Sequence, residues 1–131
     1  AHIAFCICPP VVSQYAALAA LTGPQDCIAE FREHYVSARE TMCARLDRLS
    51  SVLKYQKPTG SYLMFPRIIA DEGRDSMSFC KKLLREARVS TTPGIAFGPT
   101  GESHMRLSFC VPDAEINRAF DRIEAYFDGT A

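Results

Sequence analysis

The chain has 131 residues, 47% hydrophobic and 23% charged, with fifteen basic and fifteen acidic side chains. That length suits one domain with a single core, and the ordinary composition excludes a disordered tail, a collagen-like rod and a low-complexity linker. The balanced charge gives no net field for nucleic acid or an anionic membrane, and the longest apolar run, 15–21, falls far short of the ~20 residues of a membrane helix.

Ala1 is not an initiator Met, and no basic segment precedes the apolar stretch 3–8. This pattern speaks against a secretory leader and leads us to expect a sequence that begins inside a longer protein. Residues 13–21 are Ala- and Leu-rich and predict a short helix. Thr22 followed by Gln25 fits a capping box for the next helix, with Pro24 in its first turn. A long helix is expected over 25–54, because Ile28, Phe31, Tyr35, Ala38, Met42, Leu46, Leu49 and Leu53 recur every three or four residues. Such a helix would run about 40 Å, enough to flank one domain and reach another.

Pro58-Thr59-Gly60 reads as a turn, and 61–65 as a strand ended by Pro66. Asp71 and Glu72 open a solvated loop. The segment 76–88 predicts a helix with Phe79, Leu83, Leu84 and Ala87 inward and its cations toward the C-terminal end. A short strand at 89–92, a Gly- and Pro-rich loop at 93–101 and a strand at 104–110 follow. The last helix covers 113–127, with Ile116, Phe120, Ile123 and Phe127 in register and Gly129 beyond its end. The expected fold is α/β (α+β): a small mixed or antiparallel sheet with helices packed on one face, preceded by a long helix. Its parts are an N-terminal segment with a short helix (1–24), the long helix (25–54) and a sheet-and-helix core (58–131) within one domain.

Of the six cysteines, Cys27, Cys43 and Cys80 fall inside helical patterns, so all six are read as free thiols in a reducing, cytoplasmic setting. His2, Cys6 and Cys8 offer only a single C-x-C, which does not make a metal site. The glycines of 94–101 match no phosphate-binding spacing and read as turn residues. Neither His34 nor His104 has a nucleophile or base arrangement around it, and Ser103 beside His104 would point to the opposite strand face. In 104–110, alternation puts Met105, Leu107 and Phe109 on one face and His104, Arg106 and Ser108 on the other. Arg106 then reads either as a rigid fork for a carboxylate or phosphate, or as a solvated arginine paired with a surface acid.

Several segments resemble one family. Residues 13–21 followed by Gly23-Pro24 are similar to the segment that opens the C-terminal part of class I/II aminotransferases, which are fold-type I enzymes dependent on pyridoxal phosphate. The long helix with Arg39 and Leu46 fits that family's interdomain helix. Pro58-Thr59-Gly60-Ser61-Tyr62-Leu63-Met64-Phe65-Pro66 resembles its P-x-G-[AGS]-[FY]-x-x-[FL]-P strand. Val89 through Gly98 resembles V-x-x-x-P-G-x-x-F-G, and Met105-Arg106-Leu107-Ser108-Phe109 resembles [VI]-R-[LI]-[SC]-[FY]. The aspartate-type enzymes and their relatives look most similar.

The resemblance implies that Arg106 binds the α-carboxylate of an amino-acid or 2-oxo-acid substrate, with Gly60 and Tyr62 near the same substrate. It also implies what is missing: the Schiff-base lysine, the aspartate at the pyridine nitrogen, the aromatic stacked on the ring and the phosphate-binding arginine. Lys54, Lys57, Lys81 and Lys82 match none of these motifs. The chain is therefore expected to be the small C-terminal domain of an aminotransferase. Its parent would use pyridoxal phosphate to move an amino group from an aspartate-like amino acid to a 2-oxo acid. Alone the chain would hold no cofactor and would not be catalytic. The implied partners are the large cofactor-binding domain and a second subunit of a homodimer, with no nucleic acid or membrane. An exposed apolar surface over 3–8, 15–21 and one side of the long helix is expected to drive self-association. The competing reading is a stand-alone α/β module that binds a small ligand or regulates another protein.

Overall fold

The structure is a computed structural model and describes residues 8–70 and 75–129. The predicted loop at Asp71 and Glu72, and the stretch 3–7 with Cys6, lie outside the described residues, as does His2. The chain divides into two compact units, Ala1–Arg32 and Glu33–Ala131.

The first unit contains helix α1, Val11–Thr22, and the start of α2, Asp26–Arg48. No residue of α1 is buried. The anticipated capping box does not form. Thr22 is the last residue of α1, and its hydroxyl donates back to Leu18 O at 2.8 Å. The Gln25 amide donates to Ala20 O and Gly23 O at 3.0 and 2.9 Å. Both side chains thus bond carbonyls at or just past the end of one helix rather than amides at the start of the next.

The second unit carries the core. The half of α2 that lies in it buries Ala38, Met42, Cys43, Arg45 and Leu46. At 23 residues α2 is about 34 Å long, shorter than expected. Leu49 and Leu53 are buried as predicted, yet neither is helical. Ser50 and Ser51 favour turns over helix, and the chain folds back so that Leu53 enters β1, Leu53–Lys54. The remaining strands are β2 (Leu63–Met64), β3 (Arg67–Ile68), β4 (Thr92–Pro93) and β5 (Met105–Ser108). All pairings are antiparallel: β1 with β3, β2 with β5 and β4 with β5.

Pro66 does not end the strand as its sequence position suggests. It interrupts it, since β3 resumes one residue later, and Pro66 O still accepts from Met105 N at 3.1 Å. A bridge between Arg67 and His104 carries the same antiparallel register past the interruption. Proline removes one donor there and leaves the acceptor usable.

Helix α3 spans Ser76–Glu86 and α4 spans Asp113–Phe127. The end of α3 comes earlier than predicted, because Arg88 takes a left-handed conformation with φ 58°. Leu84, expected inward, is half exposed, while Cys80 is buried in its stead with Phe79 and Leu83. The strand expected over 89–92 begins only at Thr92. The second half of α2, α3, α4 and the inward strand residues share one core that includes Met64, Ile68, Met105, Leu107, Phe109, Ile116, Phe120 and Ile123. The other face of the sheet is left open. The architecture is the expected one of small antiparallel sheets with helices on one face.

Candidate functional site

The open face is set by strand alternation. Met105, Leu107 and Phe109 are buried, so His104, Arg106 and Ser108 face the other way. The β2–β5 register adds Leu63 beside Ser108, and alternation puts Phe65 on the same side. The β4–β5 register adds Thr92 beside Arg106.

Arg106 is half-buried and held from two directions. Its Nη2 donates to Thr92 Oγ1 at 3.3 Å, and its guanidinium carbon stands 5.0 Å from the centroid of the Phe97 ring. Phe97 meets Phe65 edge-on at 5.7 Å, and Phe65 stacks on His104 at 5.1 Å with the rings nearly parallel. The His104 Nδ1 lies 2.9 Å from Glu102 O. Among the described residues no carboxylate pairs with Arg106. The nearby acid Glu102 is engaged elsewhere: its Oε1 accepts from Ser76 N at 2.6 Å and Ser103 N at 3.1 Å. These backbone bonds, that from Ser76 first, hold its carboxyl below the usual range. The surface-pair alternative for Arg106 thus has no acid among the described residues, and Thr92 takes one N–H of the fork.

The loop that supplies Phe97 is two 3₁₀ turns, Gly94–Phe97 and Pro99–Gly101. Its glycines do more than turn the chain. A Cβ on Gly94 would lie 1.9 Å from Gly101 O, and one on Gly101 would lie 2.2 Å from Gly94 O. The two backbones touch, which fixes Phe97 relative to β5. Gly94 N donates to His104 O at 2.8 Å, and Ile95 N donates to the buried Ser76 Oγ at 3.2 Å.

The family of this arrangement follows from comparison. The family model described as aminotransferase class I and II matches residues 2–123. The chain belongs to that family. It is 36% identical over 119 residues to an aspartate aminotransferase of Pyrococcus abyssi, covering 89% of this chain and 30% of the relative. An aromatic-amino-acid aminotransferase of Thermococcus litoralis is 35% identical over the same length. The crystal structure of an aromatic aminotransferase from Pyrococcus horikoshii superposes with a TM-score of 0.86 at 33% identity, over 97% of this chain and 34% of that one. The chain thus spans about 30% of the length of the curated relatives it matches.

Fold-type I aminotransferases depend on pyridoxal phosphate. The side chains around Arg106 do not fit that cofactor, which needs a lysine to hold it. Lys57 Nζ is paired with Glu40 at 2.6 Å. Lys54 lies two strands from β5, opposite Arg67, and Lys81 is exposed on α3. What the donors fit is a planar anion such as a carboxylate.

Of the other two expected site residues, only Tyr62 has a side-chain neighbour in this chain. The Tyr62 ring, half exposed, stands 6.4 Å from that of Tyr35 on α2. The Tyr35 hydroxyl in turn lies 3.3 Å from Cys110 Sγ. Gly60 is exposed, and a Cβ there would meet nothing within 4 Å. The chain itself therefore gives no reason for a glycine at that position. Sequence reasoning missed Thr92, Phe97, Phe65 and the stacked His104. The signal available for Thr92 and Phe65 was open-face alternation on strands whose register was not known, whereas Phe97 lies on a 3₁₀ turn and carries no such signal.

Proposed function

We propose that this chain is the small C-terminal domain of a pyridoxal-phosphate-dependent aminotransferase, and that Arg106 binds the α-carboxylate of its amino-acid and 2-oxo-acid substrates. One observation carries the reading: in a chain of this family, a rigidly propped guanidinium on β5 has no acid partner among the described residues. A strand-mounted arginine with restrained rotamers loses little entropy when it meets a carboxylate, and each charge-assisted bond is worth about 1.5–3 kcal/mol.

The lysine that holds the cofactor, and the cofactor with it, belong to a large domain of the same parent. Gly60 belongs to the same substrate site, where it leaves room for a group from outside this chain, while Tyr62, next to the buried Phe109 and 6.4 Å from the Tyr35 ring, sits on the sheet face opposite Arg106. Aspartate-like substrates accord with the aspartate aminotransferases among the relatives. The exposed apolar residues of α1 and the start of α2, among them Tyr15, Leu18, Ile28 and Phe31, are surface that the large domain or a second subunit of a homodimer would cover. Alone the chain is not catalytic, and a cytoplasmic setting suits its free thiols at Cys27, Cys43, Cys80 and Cys110.

The test is Arg106→Lys in the full-length parent. Replacing the fork by a point charge is expected to lower kcat/KM about 10- to 100-fold for every carboxylate substrate, the loss of one charge-assisted bond. Unchanged kinetics would remove Arg106 from the site.

A further inference from the structure

We infer that Phe97 is a positioning residue: its ring holds the Arg106 guanidinium in the plane in which the fork meets a carboxylate. The inference rests on the carboxylate reading of Arg106 and adds to it the residue that orients the group.

Phe97 is half exposed, so the core does not explain why the ring sits where it does. Its position is nonetheless over-determined. The turn that bears it is clamped where Gly94 and Gly101 touch, and it is tied to α3 through Ile95 N and Ser76 Oγ. The ring edge packs on Phe65, which is stacked on His104 of the strand-to-turn junction beside β5. The end of this aromatic row is the face on which Arg106 lies, 5.0 Å from the centroid and within reach of a cation–π attraction. Thr92 takes one N–H of the fork from the side. A guanidinium fixed by one face and one edge keeps only the remaining edge for a ligand. The ring therefore selects the plane, and Thr92 selects the rotation within it.

The experiment uses the 131-residue chain labelled with ¹⁵N-arginine. The Nε–Hε resonance of Arg106 is assigned by its disappearance in Arg106→Lys, and 2-oxoglutarate is titrated in as the probe. The Hε of the unsubstituted chain is expected to be displaced by the ring current of Phe97. In Phe97→Leu it should return toward the position of a free arginine, and the titration midpoint should weaken about two- to fivefold, the size of an exposed cation–π contact. Phe97→Tyr should keep both the displaced resonance and the midpoint. An unmoved Hε or an unmoved midpoint in Phe97→Leu overturns the inference, and so do Tyr and Leu variants that weaken equally. An Arg106 Nε–Hε resonance that does not move with 2-oxoglutarate in the unsubstituted chain overturns the carboxylate reading itself, and the two failures are thereby told apart.

Discussion

Replacing Gly94 with alanine places a methyl group where there is backbone. The new Cβ would stand 1.9 Å from Gly101 O and 2.7 Å from His104 O, distances that carbon and oxygen do not tolerate below 3.0 Å. The two segments would have to part by more than 1 Å, and neither obstacle is a flexible side chain. Overpacking of this kind costs about 1–3 kcal/mol. The same parting strains the 2.8 Å bond from Gly94 N to His104 O and the 3.2 Å bond from Ile95 N to Ser76 Oγ, each worth about 1 kcal/mol. The expected destabilisation is about 3–5 kcal/mol. At about 4 °C per kcal/mol for a domain of this size, the midpoint should fall by about 12–20 °C. Thermal melts followed by far-ultraviolet circular dichroism measure it directly, with Gly60→Ala as the control. There the methyl meets open space, and the expected change is below about 0.5 kcal/mol. A Gly94→Ala melt within 3 °C of the parent would refute the argument from close approach, as would equal losses in the two variants.

Acid should undo the start of α3. Backbone amides hold both Asp75 and Glu102 carboxyls below their usual range, so the unfolded chain binds more protons there and stability is complete only above the ordinary carboxylate range. It should fall as pH drops below about 4, and Glu102→Gln should flatten that acid limb in urea midpoints collected from pH 7 to 3. Arg45 is buried against Phe120, with its guanidinium 2.6 Å from Asp121 and 3.0 Å from Glu124, the latter contact not aligned as a hydrogen bond. Because Asp121 is exposed, Arg45→Ala should cost only about 2 kcal/mol in chemical denaturation, and Arg45→Met should recover most of it through the retained stem. A larger loss in Arg45→Met than in Arg45→Ala would show that charge, not packing, dominates. Alkylation mass spectrometry on the folded chain should label Cys27 and Cys110 promptly and spare Cys43 and Cys80, where for Cys80 burial pushes the thiol up. Labelling of Cys80 at the rate of Cys27 would contradict its burial.

Elements whose periodicity is long were legible in the sequence. Helix α4 begins and ends where the spacing of Ile116, Phe120 and Ile123 places it, and the alternation of Met105, Leu107 and Phe109 correctly assigned the faces of β5. Strands β1 and β3 were not legible, because each contains too few residues for any period to register. Leu53 shows the difficulty well. It continues the helical spacing of α2 and is fully buried, yet a turn at Ser50 and Ser51 delivers it to the core as strand. Arg106 could be singled out from its own strand. Its supports come from Thr92 and Phe97, on segments that reach β5 only through tertiary pairing, and no local signal reports that pairing.

The three-stranded sheet that carries Arg106 is bounded, among the described residues, by β2 and β4, each two residues long, and β4 contains Pro93. Such rims offer a passing polypeptide almost no unpaired backbone to zip onto, and a proline at the border removes one more donor. Lateral growth of the sheet is thereby blocked on both flanks. If Arg106 meets a carboxylate as proposed, what covers the guanidinium is expected to be laid over the exposed side of the sheet rather than added as a further strand.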